Sequence, residues 1–395
     1  MVSNREKKTI LIVTRWFPTP VEPIRCVFTK KMIDAQSSLS DGSNYILIVP
    51  IPYYPRWIPK LVNNKYFQFS RLPSKENHQN YQVHHPRYLK LPFKWYQRFE
   101  WIHYYFCVKN FIENKQIKFN IIHSHGLYPC GYVSAKLSKY FNISFVQHLH
   151  DSEINIAKKW MKDYYNYIIE TARSLIAVSK KQKNIILNNF GNYSSKKIKI
   201  IYNGVDLKQF KHNKGYSLSH NYDKVNIVSV GNLIKGKRFD LLIRAISKLN
   251  NQKIKYYLTI IGDGLEKKSL LNLTNNLNAK SYIKLIGPVV NEKLNIELSK
   301  HDIFSLTTRE ETFGIVFLEA MACGLPVVAP RIKPLTEFID EDAGVFFTKY
   351  TIESIAKAIQ VAEKRSWDIK KVIQNAEKYS IETVALKIEQ LYNFN

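Results

Sequence analysis

The chain has 395 residues, enough for two domains with separate cores, and its 45% apolar content suits a soluble globular protein rather than a fibrous or disordered one. Its 59 Lys and Arg stand against 32 Asp and Glu, a formal charge of +27. The excess is lopsided: residues 1–200 carry 31 basic and 11 acidic side chains, residues 201–395 carry 28 and 21.

No run of 18 apolar residues occurs, and 9–13 is too short for a signal-peptide core, so a cytoplasmic protein without a spanning segment is expected. The basic first half predicts an anionic partner such as a membrane surface, a phosphorylated acceptor or nucleic acid. Cys26, Cys107, Cys130 and Cys323 are scattered singly and read as reduced, mostly buried thiols.

In chain order, apolar strand-forming runs at 9–14, 45–49, 120–123, 143–149, 174–178 and 198–202 alternate with helical spacing. That alternation predicts a parallel sheet with helices on both faces. A second series follows at 225–230, 256–261, 283–286, 303–307, 327–329 and 345–347. The polar segment 208–223 between them reads as a linker. The expected division is therefore a first domain at 1–207, a second at 224–380 and a final helix at 381–395. The fold class is α/β: two doubly wound Rossmann-like domains facing a cleft at the carboxyl ends of their strands, where ligands bind.

Residues 93–109, FKWYQRFEWIHYYFCVK, mix aromatics with Lys94, Arg98 and Lys109. This suits a membrane interface, with Arg56, Trp57 and Lys60 adding to it, and equally a helix that packs its rings inside. Two histidine pairs, His123-Ser124-His125 and His148-Leu149-His150, each end a strand. Alternate residues share a strand face, so the pairs offer metal ligands for a metal-dependent hydrolase. No Asp or Cys set completes a ligand pattern, and no metal is expected. A third class, a non-catalytic basic membrane or nucleic-acid-binding protein, uses only the charged half.

The densest signal is 311–326, ETFGIVFLEAMACGLP, flanked by the apolar runs at 303–308 and 327–329. Its setting predicts a crossover helix beginning near Phe313 and Gly314, with Val316, Phe317, Ala320 and Met321 as its buried stripe and Gly324 and Pro326 as its stop. Amides at 313–316, aimed by the helix dipole, make an anion site. Glu311 lies just before it and Glu319 roughly 8 Å along the helix from Gly314, at about 1.5 Å rise per residue. Carboxylate, amides and carboxylate in that order suit a phosphate flanked by hydroxyls, which is the shape of a sugar nucleotide. Taken alone, two glutamates are more often solvated helix residues.

This stretch resembles the E-x7-E signature of retaining glycosyltransferases of family four, which have the GT-B fold. The resemblance implies that Glu311 contacts the transferred sugar, Glu319 holds the ribose hydroxyls, and the amides of Phe313, Gly314, Ile315 and Val316 meet the diphosphate and sugar. VNIVSVGNLIKGKRFDLLIRA, from Val225, is similar to the family's V-G-[RN]-L-x-x-x-K-G-x-D-L-L and puts Lys237 on the diphosphate-binding lysine. Asn232 stands where many members have an arginine, and Arg238 replaces a glycine; Arg238 or Lys235 is then the candidate second cation.

FVQHLHDSEI resembles V-x-T-x-H-G-S-D-I, which makes His150 the active-site histidine, with Asp151 and Glu153 as departures. His125, with Pro129 and Gly131, resembles the pattern that lines the acceptor side. IYNGVD at 201–206 resembles the close of the family's first domain, IGDG at 261–264 its second-strand turn, and 287–290 its base-binding segment. Cys26 falls on a glycine of the loop that covers the diphosphate, with Arg25 beside it. Asp340-Glu341-Asp342 resembles an acidic turn, not a metal motif. The final helix is expected to cross back to the first domain.

The expectation is a cytoplasmic, metal-independent hexosyltransferase, peripheral at the inner membrane face. It would take a nucleotide-diphosphate sugar as donor, a lipid-linked cell-surface glycan as acceptor, no cofactor and no nucleic acid.

Overall fold

The computed structural model describes residues 8–23, 26–39, 43–53, 68–69, 71–150, 160–190, 195–212 and 223–393. The chain forms two compact units, residues 1–202 with 384–395, and residues 203–383.

The first unit contains strands β1 (Thr9–Thr14), β2 (Asn44–Ile48), β3 (Ile51–Tyr53), β4 (Lys75–Asn77), β5 (Tyr81–His84), β6 (Arg87–Leu89), β7 (Ile121–His125), β8 (Ser144–Leu149), β9 (Ser174–Ala177) and β10 (Ile198–Ile200). Its helices are α1 (Val27–Leu39), α2 (Glu100–Asn114), α3 (Tyr132–Phe141), α4 (Met161–Thr171) and α5 (Lys180–Phe190). The main sheet runs β10-β9-β8-β7-β1-β2-β5-β4, parallel except for the edge strand β4. Helices bury both of its faces, so β1 reads as a near-continuous apolar run, and all five residues of β7 are buried although His123, Ser124 and His125 are polar. The order turns back at β1, whose neighbours are β2 and β7.

The second unit contains β11 (Val225–Val230), β12 (Tyr256–Ile261), β13 (Ile283–Gly287), β14 (Ile303–Ser305), β15 (Val327–Pro330) and β16 (Gly344–Phe347). Its helices are α6 (Phe239–Leu249), α7 (Lys267–Asn276), α8 (Asn291–Leu298), α9 (Ile315–Ala322), α10 (Ile352–Lys364) and α11 (Ile369–Glu377). All strands are parallel, in the order β13-β12-β11-β14-β15-β16, with the switch between β11 and β14. Open parallel sheets bind ligands outside the carboxyl ends of their strands at such switch points.

The first unit closes at 202 rather than 207. Val205 N donates to Tyr379 O, and Ile381 N donates to Val205 O, both at 2.9 Å, which ties 203–207 into the second unit. Gly204 permits this approach, since a Cβ there would lie 2.6 Å from Cα of Ile381. Residues 208–212 of the expected linker also pack on the second unit. Phe210 is buried, Gln209 Nε2 donates to Asn291 Oδ1 at 2.8 Å, and Nδ1 of His212 lies 3.2 Å from Cys323 O. The remainder of that linker, 213–222, lies outside the described residues. Helix α12 (Ile381–Gln390) carries the chain back, and residues 384–393 belong to the first unit, where Tyr392 is buried.

Candidate functional site

In the second unit the loops after β11 and β14 form one laced structure at the switch point. Arg309 N donates to Gly236 O at 2.8 Å, and the Thr307 hydroxyl donates to Arg238 O at 2.6 Å. These bonds bring together two candidates 74 residues apart: Lys237 Nζ donates to Glu311 Oε1, with both side chains largely buried. Arg238 turns the other way. Its Nε and Nη2 each donate to the Asp240 carboxylate at 2.9 Å, so its charge is already met within its own turn. Burial pushes the Asp240 carboxyl up, but the hydrogen bonds and charge of Arg238 outweigh it and hold the group below the usual carboxylate range.

Helix α9 begins at Ile315, one or two residues later than the sequence suggests, because Gly314 adopts φ +97° as its N-cap. A side chain at 314 would be strained in that conformation, and a Cβ would sit 2.9 Å from Leu335 Cδ2. The helical ladder begins with Phe317 N donating to Gly314 O at 3.0 Å, so the amides of Ile315 and Val316 stand ahead of it. Phe313 is buried against Phe338, their rings 4.7 Å apart. Val316, expected in the buried stripe, is only half-buried, whereas Leu318 is buried with Phe317, Ala320, Met321 and Ala322. The helix is enclosed almost all round, which blurs a one-sided pattern. Glu319 is half-buried.

The neighbouring loops explain the other glycines. A Cβ on Gly262 would lie 2.0 Å from Gly231 O, and one on Gly264 2.5 Å from Leu233 O. Glycine there serves backbone against backbone. In the base-binding candidate 287–290, Gly287 takes φ +81° and Val290 is exposed. The acidic residues Asp340 and Asp342 are engaged by cations: Asp340 pairs with Lys378, and Asp342 with Lys371 and Arg365.

In the first unit, Cys26 takes φ +55°, as Arg238 does at φ +51°. Both residues stand where the family pattern has glycine, and both keep the left-handed backbone that glycine would supply. Arg25, Asp151 and Glu153 lie outside the described residues.

The four histidines gather at the ends of β7 and β8. Nδ1 of His125 lies 2.5 Å from Nε2 of His150, their ring planes 4° apart, and Phe28 packs its edge on His150 with centroids 4.9 Å apart. Nδ1 of His123 lies 2.5 Å from the hydroxyl of Tyr392, to which Gln36 Nε2 donates at 3.0 Å. Tyr392 lies 269 residues from His123 and carried no sequence signal. Burial drives all four imidazoles toward the neutral form, His125 to about 3 and the others well below 6.5, with neighbouring histidines adding to it at His123, His148 and His150.

The aromatic segment divides its rings. Tyr96 and Tyr104 are buried, while Phe93, Trp95, Phe99 and Phe106 are exposed, Trp95 at 63%. Arg56, Trp57 and Lys60 lie outside the described residues.

Two family models match consecutive stretches of the chain: Glycosyltransferase Family 4 at 48–209 and Glycosyl transferases group 1 at 212–379. The chain is 34% identical over 235 residues to an uncharacterized glycosyltransferase, MJ1178, of Methanocaldococcus jannaschii, spanning 58% of this chain and 61% of that protein. It is 28% identical over 219 residues to the O-antigen biosynthesis glycosyltransferase WclY of Escherichia coli, covering 53% and 60%. The crystal structure of Anabaena Alr3699/HepE in complex with UDP-glucose matches with TM-score 0.68 at 18% identity, over 98% of this chain and 99% of that one. A metal-dependent hydrolase and a non-catalytic basic protein are thereby set aside. With the E-x7-E helix at a parallel-sheet switch point and both family models on consecutive halves, the chain belongs to the family four glycosyltransferases of GT-B fold.

Proposed function

We propose that the protein is a retaining, metal-independent transferase. It moves a hexose or N-acetylhexosamine from a nucleotide-diphosphate sugar to a lipid-linked cell-surface glycan. The observation that carries this is the Lys237–Glu311 pair beside the Gly314 turn and the first amides of α9.

Charge accumulates on the diphosphate as the sugar leaves. Lys237 and the amides of Ile315 and Val316 stabilise it there. Glu311 pairs with Lys237, and a donor diphosphate that takes the ammonium frees the carboxylate for sugar hydroxyls. Glu319 takes the ribose, and the neutral His150 positions the sugar by hydrogen bonding. Attack from the face of the departing phosphate, assisted by that phosphate, retains configuration. The UDP-glucose bound by HepE and the O-antigen role in WclY's name favour this donor and acceptor class. Among the described residues no helix is long and apolar enough to cross a membrane. The exposed Phe93, Trp95, Phe99 and Phe106, with Lys94, Arg98 and Lys109, suit peripheral contact with an anionic surface.

A thermal-shift screen against UDP-, GDP- and ADP-sugars, with free nucleotides as controls and EDTA present, tests the reading. A donor at 100 times its dissociation constant stabilises by about 2.7 kcal/mol. One nucleotide series raising Tm identifies the base and supports metal-free donor binding. No shift with any series, alone or with acceptor lipid, overturns it.

A further inference from the structure

The first unit holds His123 and His148, which the proposed transfer does not use, beside His125, which meets His150. β7 and β8 pair in parallel with His125 opposite His148, and His123 lies two residues back on β7. The three imidazoles therefore share one face of the sheet. All are at most 1% exposed, and their nearest ligand nitrogens lie within 4.8 Å of one another.

The hydrogen bonding of this group is one-sided. His123 uses Nδ1 on Tyr392, and His125 uses Nδ1 on His150. Each leaves its Nε2 buried, and His148 leaves both nitrogens buried, with no hydrogen-bond partner among the described residues. A buried polar atom without a partner costs about 1–3 kcal/mol. Four such nitrogens on neighbouring rings call for an occupant that accepts several lone pairs at once.

Histidines that ligate a metal characteristically spend the outer ring nitrogen on a second partner, which fixes the tautomer and aims the inner one. His123 and His125 show that arrangement. A Tyr392 oxygen accepting from both Gln36 Nε2 and His123 Nδ1 leaves the His123 Nε2 lone pair free. His148 is the residue that completes the set, and it stands where the pattern V-x-T-x-H has threonine. We propose that His123, His125 and His148 form a three-histidine site for a divalent transition metal, with Zn2+ as occupant and a water or hydroxide in the fourth position.

Imidazole is a preferred ligand of Zn2+, and three histidines with one open position is an established coordination type. Hydroxide in that position lowers the net charge of the buried site. A tetrahedron with Zn–N bonds of about 2.0–2.1 Å has nitrogens roughly 3.3 Å apart. Closure from 4.8 Å takes rotation of His148, whose two ring nitrogens have no hydrogen-bond partner among the described residues, and small shifts of His123 and His125 that keep their Nδ1 contacts. The metal then pins the carboxyl ends of β7 and β8, and through His125 it fixes His150. This proposal goes beyond the transfer reaction and does not depend on it.

The test loads metal-stripped full-length protein with Zn2+ or Co2+ and counts bound metal after desalting. One equivalent per chain is expected, with the intense visible bands of tetrahedral Co2+ and a higher Tm. His148→Thr, which restores the pattern residue, should bind no metal above background. X-ray absorption of the Zn2+-loaded wild type should show imidazole nitrogens as the protein ligands. Less than stoichiometric binding by the wild type overturns the proposal, as does an unchanged equivalent in His148→Thr or a ligand shell without imidazoles. In the donor screen, EDTA would lower the baseline Tm yet leave the nucleotide-sugar shift intact, so failure of one reading is distinguishable from failure of the other.

Discussion

At the carboxyl ends of β7 and β8 the first unit gathers four uncharged imidazoles, whereas after β11 and β14 the second gathers Lys237, Arg238, Asp240 and Glu311 as two ion pairs. Both clusters sit where a parallel sheet opens, and the fold supplies that position twice. What differs is the side chains placed there. The second unit sets Lys237, paired with Glu311, beside the first amides of α9, which the proposed reading assigns to a diphosphate. The first keeps lone pairs and neutral donors suited to hydroxyls or a metal. The difference teaches that strand topology sets where chemistry occurs, while burial and partner choice set which kind.

The largest expected effect comes from breaking the charged side. Lys237→Ala should lower kcat by about 10²–10³-fold, the loss typical for one donor aimed at developing charge. Glu311→Ala should be comparably damaging, with circular dichroism unchanged in both. Steady-state kinetics with the donor found by thermal shift decides this, and full activity in either variant would sink the assignment.

A second, intermediate effect sharpens the neutral side. The folded pKa values of the four imidazoles are depressed, His125 to about 3, so their contribution is complete above 6.5 and is lost as pH falls below it. Glu389 works in the opposite sense. Burial raises its carboxyl to about 7, so its contribution is complete below 4.5 and fades as pH rises through 7. His78, His84 and His301 are depressed as well and act in the same sense as the four, so the urea midpoint should fall as pH drops below 6.5. His148→Thr should flatten that slope, and Glu389→Gln should steepen it. A midpoint independent of pH between 6.5 and 4.5 would show that the rings are not held neutral.

The smallest effect compares the two left-handed residues. A non-glycine residue in this region costs about 1–2 kcal/mol, part of which glycine returns through its freer unfolded chain. Cys26→Gly should therefore raise stability by about 0.5–1 kcal/mol in chemical denaturation. Arg238→Gly relieves the same backbone but forfeits the bidentate Asp240 pair, so its net change should lie nearer zero.

The strand runs and the 311–326 helix were legible because apolar content, a glycine cap and a proline stop act locally. Lys237 was legible only through its register with Gly231 and Asp240, since one lysine among 59 cationic side chains carries no signal of its own. β3, β4, β5 and β6 escaped notice: they are strands of three or four residues without alternation long enough to read. The left-handed backbone at Cys26 was also hidden, because sequence gives no φ and the expected glycine was absent. The Arg238–Asp240 pair was close in sequence yet went unread, since a loop arginine has many possible partners. Tyr392 and the closure at Val205 depend on contacts across the length of a whole unit, which local pattern cannot reach.

That return of the chain has a consequence for biosynthesis. Tyr392 fills the first unit beside Gln36 and His123, yet the ribosome makes it only after the entire second unit. The second unit has its two chain ends tied at Val205 and Ser380 and can complete its sheet as soon as it is out. The first unit, though translated earlier, must wait for the hydroxyl that meets His123. Its final docking is a late, non-local step of the kind that sets folding rate through sequence separation.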